Sequence, residues 1–299
     1  MPPETLPLGD ATLLAHALTA RLANERGIRA LSIKGPIAEA YELRPPQISA
    51  DADVLVEPYR FEEFCVALER RGWHTRVGRA TPALIRPHSV TYIHEDWPCD
   101  IDVHRMFPGF FADAAVAFDA LWASHCRLTV AHEPVIAPSK AGAAVVMALH
   151  AARDQRSQRH LREQELVEAA LIHSFSRTER EEFASIARAG AAVWVLRRIF
   201  EAADLGPVVV DVSDEDKRRW ELFADRVDDA SSVAWWQQIR EASWLEKPQW
   251  IFRALWVTRQ DMPRNEPGEL PSFGDLWRYR FHRWGRGVEA MLRYLQRSR

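Results

Sequence analysis

The chain has 299 residues, 47% hydrophobic and 27% charged, which exceeds the usual size of one compact domain and excludes long unfolded tracts. A formal charge of -3 gives no general electrostatic reason for a nucleic-acid or membrane partner. Three scattered cysteines exclude a disulfide framework and a CxxC zinc site. With no secretory leader at residues 1–10 and no apolar run near the roughly 20 residues that cross a bilayer, the expected location is the cytoplasm, with no membrane partner.

Asp10 reads as the N-cap of a first helix reaching about Glu25, with Leu14, Leu18 and Leu22 on its apolar stripe and Gly27 as its stop. Ala30 to Ile33 is a short strand that runs into Lys34-Gly35, and Pro36 suits the first turn of a short helix from Ile37 to Tyr41. The proline-containing loop from Glu42 to Ser49 leads to Ala50 to Val56, a second strand. Phe61, Phe64, Cys65 and Leu68 recur at helical spacing before Gly72. Val90 to His94 and Ile101 to Val103 form an antiparallel pair joined by the turn-rich connector Glu95-Asp96-Trp97-Pro98. Beyond Pro138 the pattern is helical: 141–152, 161–173, 179–188, 191–203, 215–227, 233–242 and two later stretches, with Val208 to Val210 the one strand-like run. The expected architecture is α+β, a mixed sheet flanked by helices over 1–137 and a largely helical region over 138–299.

Asp51 and Asp53 lie two apart in a strand, so both side chains leave one face, separated by roughly 7 Å. If the strand of Asp102 pairs beside them, three carboxylates converge as hard oxygen ligands for Mg²⁺ or Mn²⁺. Asp100 shares the face of Asp102 and His104 and competes for the third position. His104 can order a carboxylate, touch substrate or simply be structural. The Lys34-Gly35 turn places amides of Gly35, Ile37 and Ala38 at a helix start, where a phosphate is favoured, with Lys34 as an added point charge. The helical region is expected to form the wall opposite the acidic strands; its polar group His150, Arg153, Asp154, Arg156, Arg159 and His160 reads as a solvated helix face with a cleft-facing role as the alternative, and the arginine-rich aromatic stretch from Trp277 onward as a docked amphipathic helix with arginines in water, with an RNA or acidic-peptide surface as the alternative.

Leu31-Ser32-Ile33-Lys34-Gly35, then Asp51-Ala52-Asp53-Val54-Leu55-Val56, then Ile101-Asp102-Val103-His104 resembles the uncharacterised bacterial branch of the polymerase-β-like nucleotidyltransferase superfamily. The resemblance covers Ile28 to His104 well and the helical remainder loosely. It implies a pair of divalent metals on Asp51, Asp53 and Asp102, and nucleotide contacts from Lys34, Gly35, Arg44 and His104. The implied reaction moves a nucleotidyl or related group from a nucleoside triphosphate or nucleotide sugar to a peptide, small molecule, RNA or protein acceptor. Peptide modification enters by resemblance alone. Pro36 replaces the superfamily serine, and Arg44 is the nearest guanidinium before the first aspartate. Two competing readings are a nucleotide-sugar-dependent glycosyltransferase of the D-x-D type and a non-catalytic, antitoxin-like binding protein.

Overall fold

A computed structural model describes residues 6–76, 88–154, 157–208, 212–224, 239, 242–244, 246–256, 272–282 and 284–285. The chain divides into two compact units, Met1–His74 with His88–Trp220 and Thr75–Pro87 with Glu221–Arg299. Among the described residues, no helix is long and apolar enough to cross a membrane.

Helix α1 spans Leu8–Arg26 and ends at Gly27, whose left-handed backbone (φ 60°) lets its N–H reach the carbonyls of Ala23 and Asn24. It starts earlier than expected, after Pro7, because Leu6 and Leu8 pack onto the core. Asp10 therefore sits in the first turn, where it complements the helix dipole but caps nothing. The leucine stripe is also corrected: Leu14 is 40% exposed, while Ala11, Ala15 and Ala23 join Leu22 in the core. Small side chains let this helix backbone lie close against the sheet.

Strands β1 (Ala30–Ile33), β2 (Asp51–Val56), β3 (His74–Thr75), β4 (Ser89–His94) and β5 (Trp97–His104) form one sheet in the order β1-β2-β5-β4-β3. It is mixed. β1 runs antiparallel to β2, β2 parallel to β5, and β4 antiparallel to β5. Trp97 and Pro98, expected in the connector, belong to β5, and His94 pairs with Trp97 across a bare Glu95-Asp96 turn. Ala52, Val54, Val56, Cys99, Ile101 and Val103 join the core formed with α1 and α3 (Phe61–Glu69). Strand alternation sends the neighbouring residues, including Asp51, Asp53 and Asp102, to the other face. Helix α2 (Gly35–Ala40) follows β1.

A helix and a hairpin ahead of residue 138 were not expected from the sequence. Helix α4 (Ala114–Trp122) is capped by the Asp113 carboxylate, which accepts from the Ala115 N–H. The hairpin of β6 (Cys126–Val130) and β7 (Glu133–Ala137) turns through Ala131 and His132, both at positive φ (49° and 63°). Two-residue hairpin turns favour Asn-Gly or Asp-Gly for that conformation, so Ala-His hides the signal.

The switch from strands to helices falls between Ala137 and Lys140. Helix α5 (Lys140–Ala151) is buried except at Lys140 and His150, and it packs against α2, α6 (Gln158–His173) and α7 (Arg177–Ala189). The helix expected over 191–203 is confined to α8 (Arg197–Ala202), because Ala191 turns left-handed (φ 53°) after α7. Helix α9 covers Asp214–Ala224. Most of 233–242, two of the three residues from Val208 to Val210, and 286–299 lie outside the described residues.

The second unit contributes α10 (Lys247–Leu255) and a helical stretch over 273–282. Here Arg280 does not face water. It is buried, its guanidinium carbon 4.0 Å from the Trp256 ring centre and 5.0 Å from that of Trp277, a cation–π sandwich.

Candidate active site

Parallel pairing of β2 with β5 sets Asp53 opposite Asp102 and Asp51 opposite Asp100. Residues opposite one another share a sheet face, so these four carboxyls and His104 emerge on the side away from the α1–α3 core. Ligand atoms of Asp53, Asp102 and His104 lie within 4.8 Å of one another. Asp51 stands beside that group and, with Asp53, lines a cavity of about 200 Å³.

Asp53 is 4% exposed and its Oδ1 accepts from Lys34 Nζ at 2.6 Å and pairs with His104 Nε2 at 2.8 Å. Burial alone would raise its pKa, but the Lys34 charge and the His104 contact outweigh it and hold the carboxyl well below the usual range. Asp51 moves the other way, pushed up to about 6 by burial and then by the Asp53 charge, with Lys34 opposing and Asp102 and Asp100 adding. Asp102 accepts from Thr91 Oγ1 at 2.6 Å, which fixes its carboxylate across β4 and β5.

Lys34 joins β1 to α2 with φ 57°, a left-handed backbone unusual outside glycine and the kind of strain found at functional turns. Gly35 follows at φ 34°, and a Cβ there would sit 3.4 Å from His16 Nε2 and 3.5 Å from Ser49 Oγ. The phosphate donors expected at this turn are reduced. The amides of Ile37 and Ala38 both donate to the Lys34 carbonyl, at 2.9 and 3.2 Å, and α2 is only six residues long. Lys34 itself is tied to Asp53. Arg44 also lines the cavity, donating from Nη2 to Glu39 at 2.9 Å and to Ser49 at 3.1 Å.

His104 is 2% exposed and orders the Asp53 carboxylate, one of the roles open to it in the sequence. Beneath the turn, His16 is fully buried with neither ring nitrogen hydrogen-bonded, and burial pushes its pKa down to about 4 against the pull of Asp53.

The helical region forms the opposite wall of the cavity, as expected, but its polar group does not lie on the solvated face assigned to it. His150, from the last turn of α5, and His160 and Glu163, from α6, line the same space as Lys34, Asp51 and Asp53. His150 and His160 are half-buried rather than on a solvated face. Arg153 is half-buried too, and its charge interacts with Asp53 and Asp102, while burial lowers its pKa. His88 is held down to about 3 by burial and then by the Arg153 charge. The available signal was a polar residue, His150, closing an otherwise apolar helix. Glu163 gave none, since a glutamate on a helix is ordinarily solvated.

The sequence profile of a family described as uncharacterised nucleotidyltransferase matches residues 11–203, well over half of the chain and every site residue described above. The chain belongs to this nucleotidyltransferase family. No curated protein matches it. Among solved structures, this nucleotidyltransferase is similar to the antibiotic-resistance factor ANT(2'')-Ia, at 18% identity and a TM-score of 0.40 over 64% of this chain and 94% of that one. It is also similar to an antigenic nucleotidyltransferase-like protein from Paracoccidioides brasiliensis, at 12% identity and a TM-score of 0.40 over 66% and 94%.

Proposed function

We propose that this nucleotidyltransferase acts in the cytoplasm and moves a nucleotidyl group from a nucleoside triphosphate to an acceptor hydroxyl, with Asp51, Asp53 and Asp102 at its centre. The carrying observation is the β2–β5 register, which sets Asp53 opposite Asp102 beside an Asp51 whose pKa burial and then its carboxylate neighbours raise to about 6. These clustered all-oxygen donors fit divalent cations such as Mg²⁺ or Mn²⁺. Asp51, Asp53 and Asp102 would hold them, and when bound they neutralise the phosphates and polarise the α-phosphorus.

The chain's own groups account for the rest. Lys34 and His104 fix the Asp53 carboxylate in one orientation, so it needs no reorganisation when the nucleotide arrives. Arg153 places positive charge toward the same carboxylates, and Arg44 places it in the cavity lining, where triphosphate oxygens would lie. Asp102 takes the acceptor proton as the acceptor oxygen bonds the α-phosphorus. The bond to the β-phosphate oxygen breaks, and pyrophosphate leaves.

Titration calorimetry of the full chain against ATP, GTP, CTP, UTP and UDP-glucose with Mg²⁺ tests the donor. Pyrophosphate release over a panel of small hydroxyl compounds, peptides and RNA tests the acceptor. A triphosphate should bind only with the metal, and Asp53→Asn should lower turnover by on the order of 100-fold or more with the fold retained. Binding of UDP-glucose to the exclusion of triphosphates would move the reading to glycosyl transfer. Capture of one stoichiometric protein without nucleotide binding would make the chain a non-catalytic partner.

A further inference from the structure

The geometry points to a second metal site, a His₂Glu centre on the helical wall built from His150, His160 and Glu163, of the type that takes zinc or a similar borderline transition metal. Ligand atoms of all three lie within 4.8 Å of one another. They come from two packed helices, His150 from the last turn of α5, and His160 and Glu163 from one face of α6 at a spacing of three. Helix-borne ligands are held more rigidly than loop-borne ones.

The donor set separates this centre from the acidic edge. Asp51, Asp53 and Asp102 offer only oxygens, suited to a hard cation, whereas two imidazoles and one carboxylate match the three-ligand open zinc centres that keep a fourth position for water or substrate. Burial supports the assignment. Glu163 is 7% exposed, and His160 Nδ1 is buried without a hydrogen bond, 3.8 Å from Asp154 Oδ2. An unbonded buried ring nitrogen costs on the order of 1–3 kcal/mol, a loss that metal ligation, or closure onto Asp154 as an outer partner of the ligand, would remove.

Hydrogen bonds already draw these side chains together. His150 Nδ1 pairs with Glu163 Oε2 at 2.9 Å, and Arg159 Nε donates to Glu163 Oε1 at 3.1 Å. Arg159 is largely exposed, and zinc bound here would replace the His150–Glu163 hydrogen bond and release its proton. The assignment stands without the nucleotide reading, because ligand chemistry alone carries it.

The test uses the full-length chain stripped of metal by a chelator. Equilibrium dialysis and calorimetry with Zn²⁺ should find one tight site. His160→Ala and Glu163→Gln should each weaken it by more than the roughly 10–100-fold that losing an outer partner costs. Asp53→Asn should leave it intact, so failure here and failure of the acidic site are distinguishable. Loading the unaltered chain with Co²⁺ keeps the test decisive if a variant misfolds, since a tetrahedral nitrogen-containing site gives intense visible absorption and an all-oxygen octahedral site does not. Absence of tight zinc binding, unchanged affinity in folded His160→Ala and Glu163→Gln, loss of zinc with Asp53→Asn, or a purely octahedral cobalt spectrum would each overturn the assignment.

Discussion

His16 shows how a residue without a hydrogen-bonding partner can shape the site from below. It is fully buried under the Lys34-Gly35 turn, and a Cβ at position 35 would nearly touch its ring, so glycine and histidine fit one another there. Burial holds the ring neutral with a pKa of about 4, whereas in the unfolded chain it titrates near 6.5. Between those values the unfolded state binds the extra proton. The stability His16 contributes is therefore complete above about 6.5 and lost as pH falls toward 4. His88, held to about 3, acts in the same direction, while Asp51, raised to about 6, acts in the opposite one, its contribution fading as pH rises through 6. His16→Leu should consequently remove on the order of 2–3 kcal/mol of the loss between pH 7 and pH 4.5, read by denaturant titration at both values. An unchanged difference would show that His16 titrates as an exposed imidazole. None of this was legible in the sequence, where a histidine within an alanine-rich helix looks no different from a surface one. Asp51, Asp53, Asp102 and His104 were legible because strand alternation alone puts them on common faces.

Elements of this fold meet by close backbone approach as much as by large side chains. The loop after β5 docks onto the end of α7, with the amides of Phe111 and Ala112 donating to the Gly190 carbonyl at 3.0 and 3.2 Å. A Cβ at position 190 would stand 2.1 Å from the ring of Phe110, itself 4% exposed. Gly190 has an ordinary φ of -81°, so space rather than backbone freedom demands glycine. Gly190→Ala should destabilise the chain by about 1–3 kcal/mol through overpacking, seen as a lower Tm, and Phe110→Leu in the same chain should recover part of the loss. Tm values that do not differ from the parent would sink the contact. The same close packing explains what the sequence hid. In α1 the alanines share the core face with Leu18 and Leu22 while Leu14 faces water, so a search for large apolar residues misplaced one edge of the stripe. The β6–β7 hairpin turned without glycine or asparagine, whereas α7, with the capping box of Ser176 and Glu179, and α3, with its spaced phenylalanines, were visible in outline.

For the molecule as a whole, the change at 137/138 from strands to helices was visible in the sequence, and it can be asked whether it is also a folding boundary. Helix α5 is apolar on every face, burying Val145, Val146, Met147 and Leu149 together with five alanines, and it packs on α2 as well as on α6 and α7. The Tyr41 hydroxyl, beyond the end of α2, donates to the Pro138 carbonyl at 2.9 Å. A helix without a solvated face belongs to the middle of a core rather than to its edge. Without it, α2 would lose the helix packed against it, and a core deprived of that contact balances less of the entropy of ordering 137 residues. A fragment of residues 1–137 is thus expected to bind hydrophobic dye and melt without a cooperative transition, whereas the full chain melts sharply. Sharp melting of the fragment would establish 137/138 as a true domain boundary. It would also mean that the carboxylate edge can be built without the wall carrying His150, His160 and Glu163, separating the two sites physically as well as chemically.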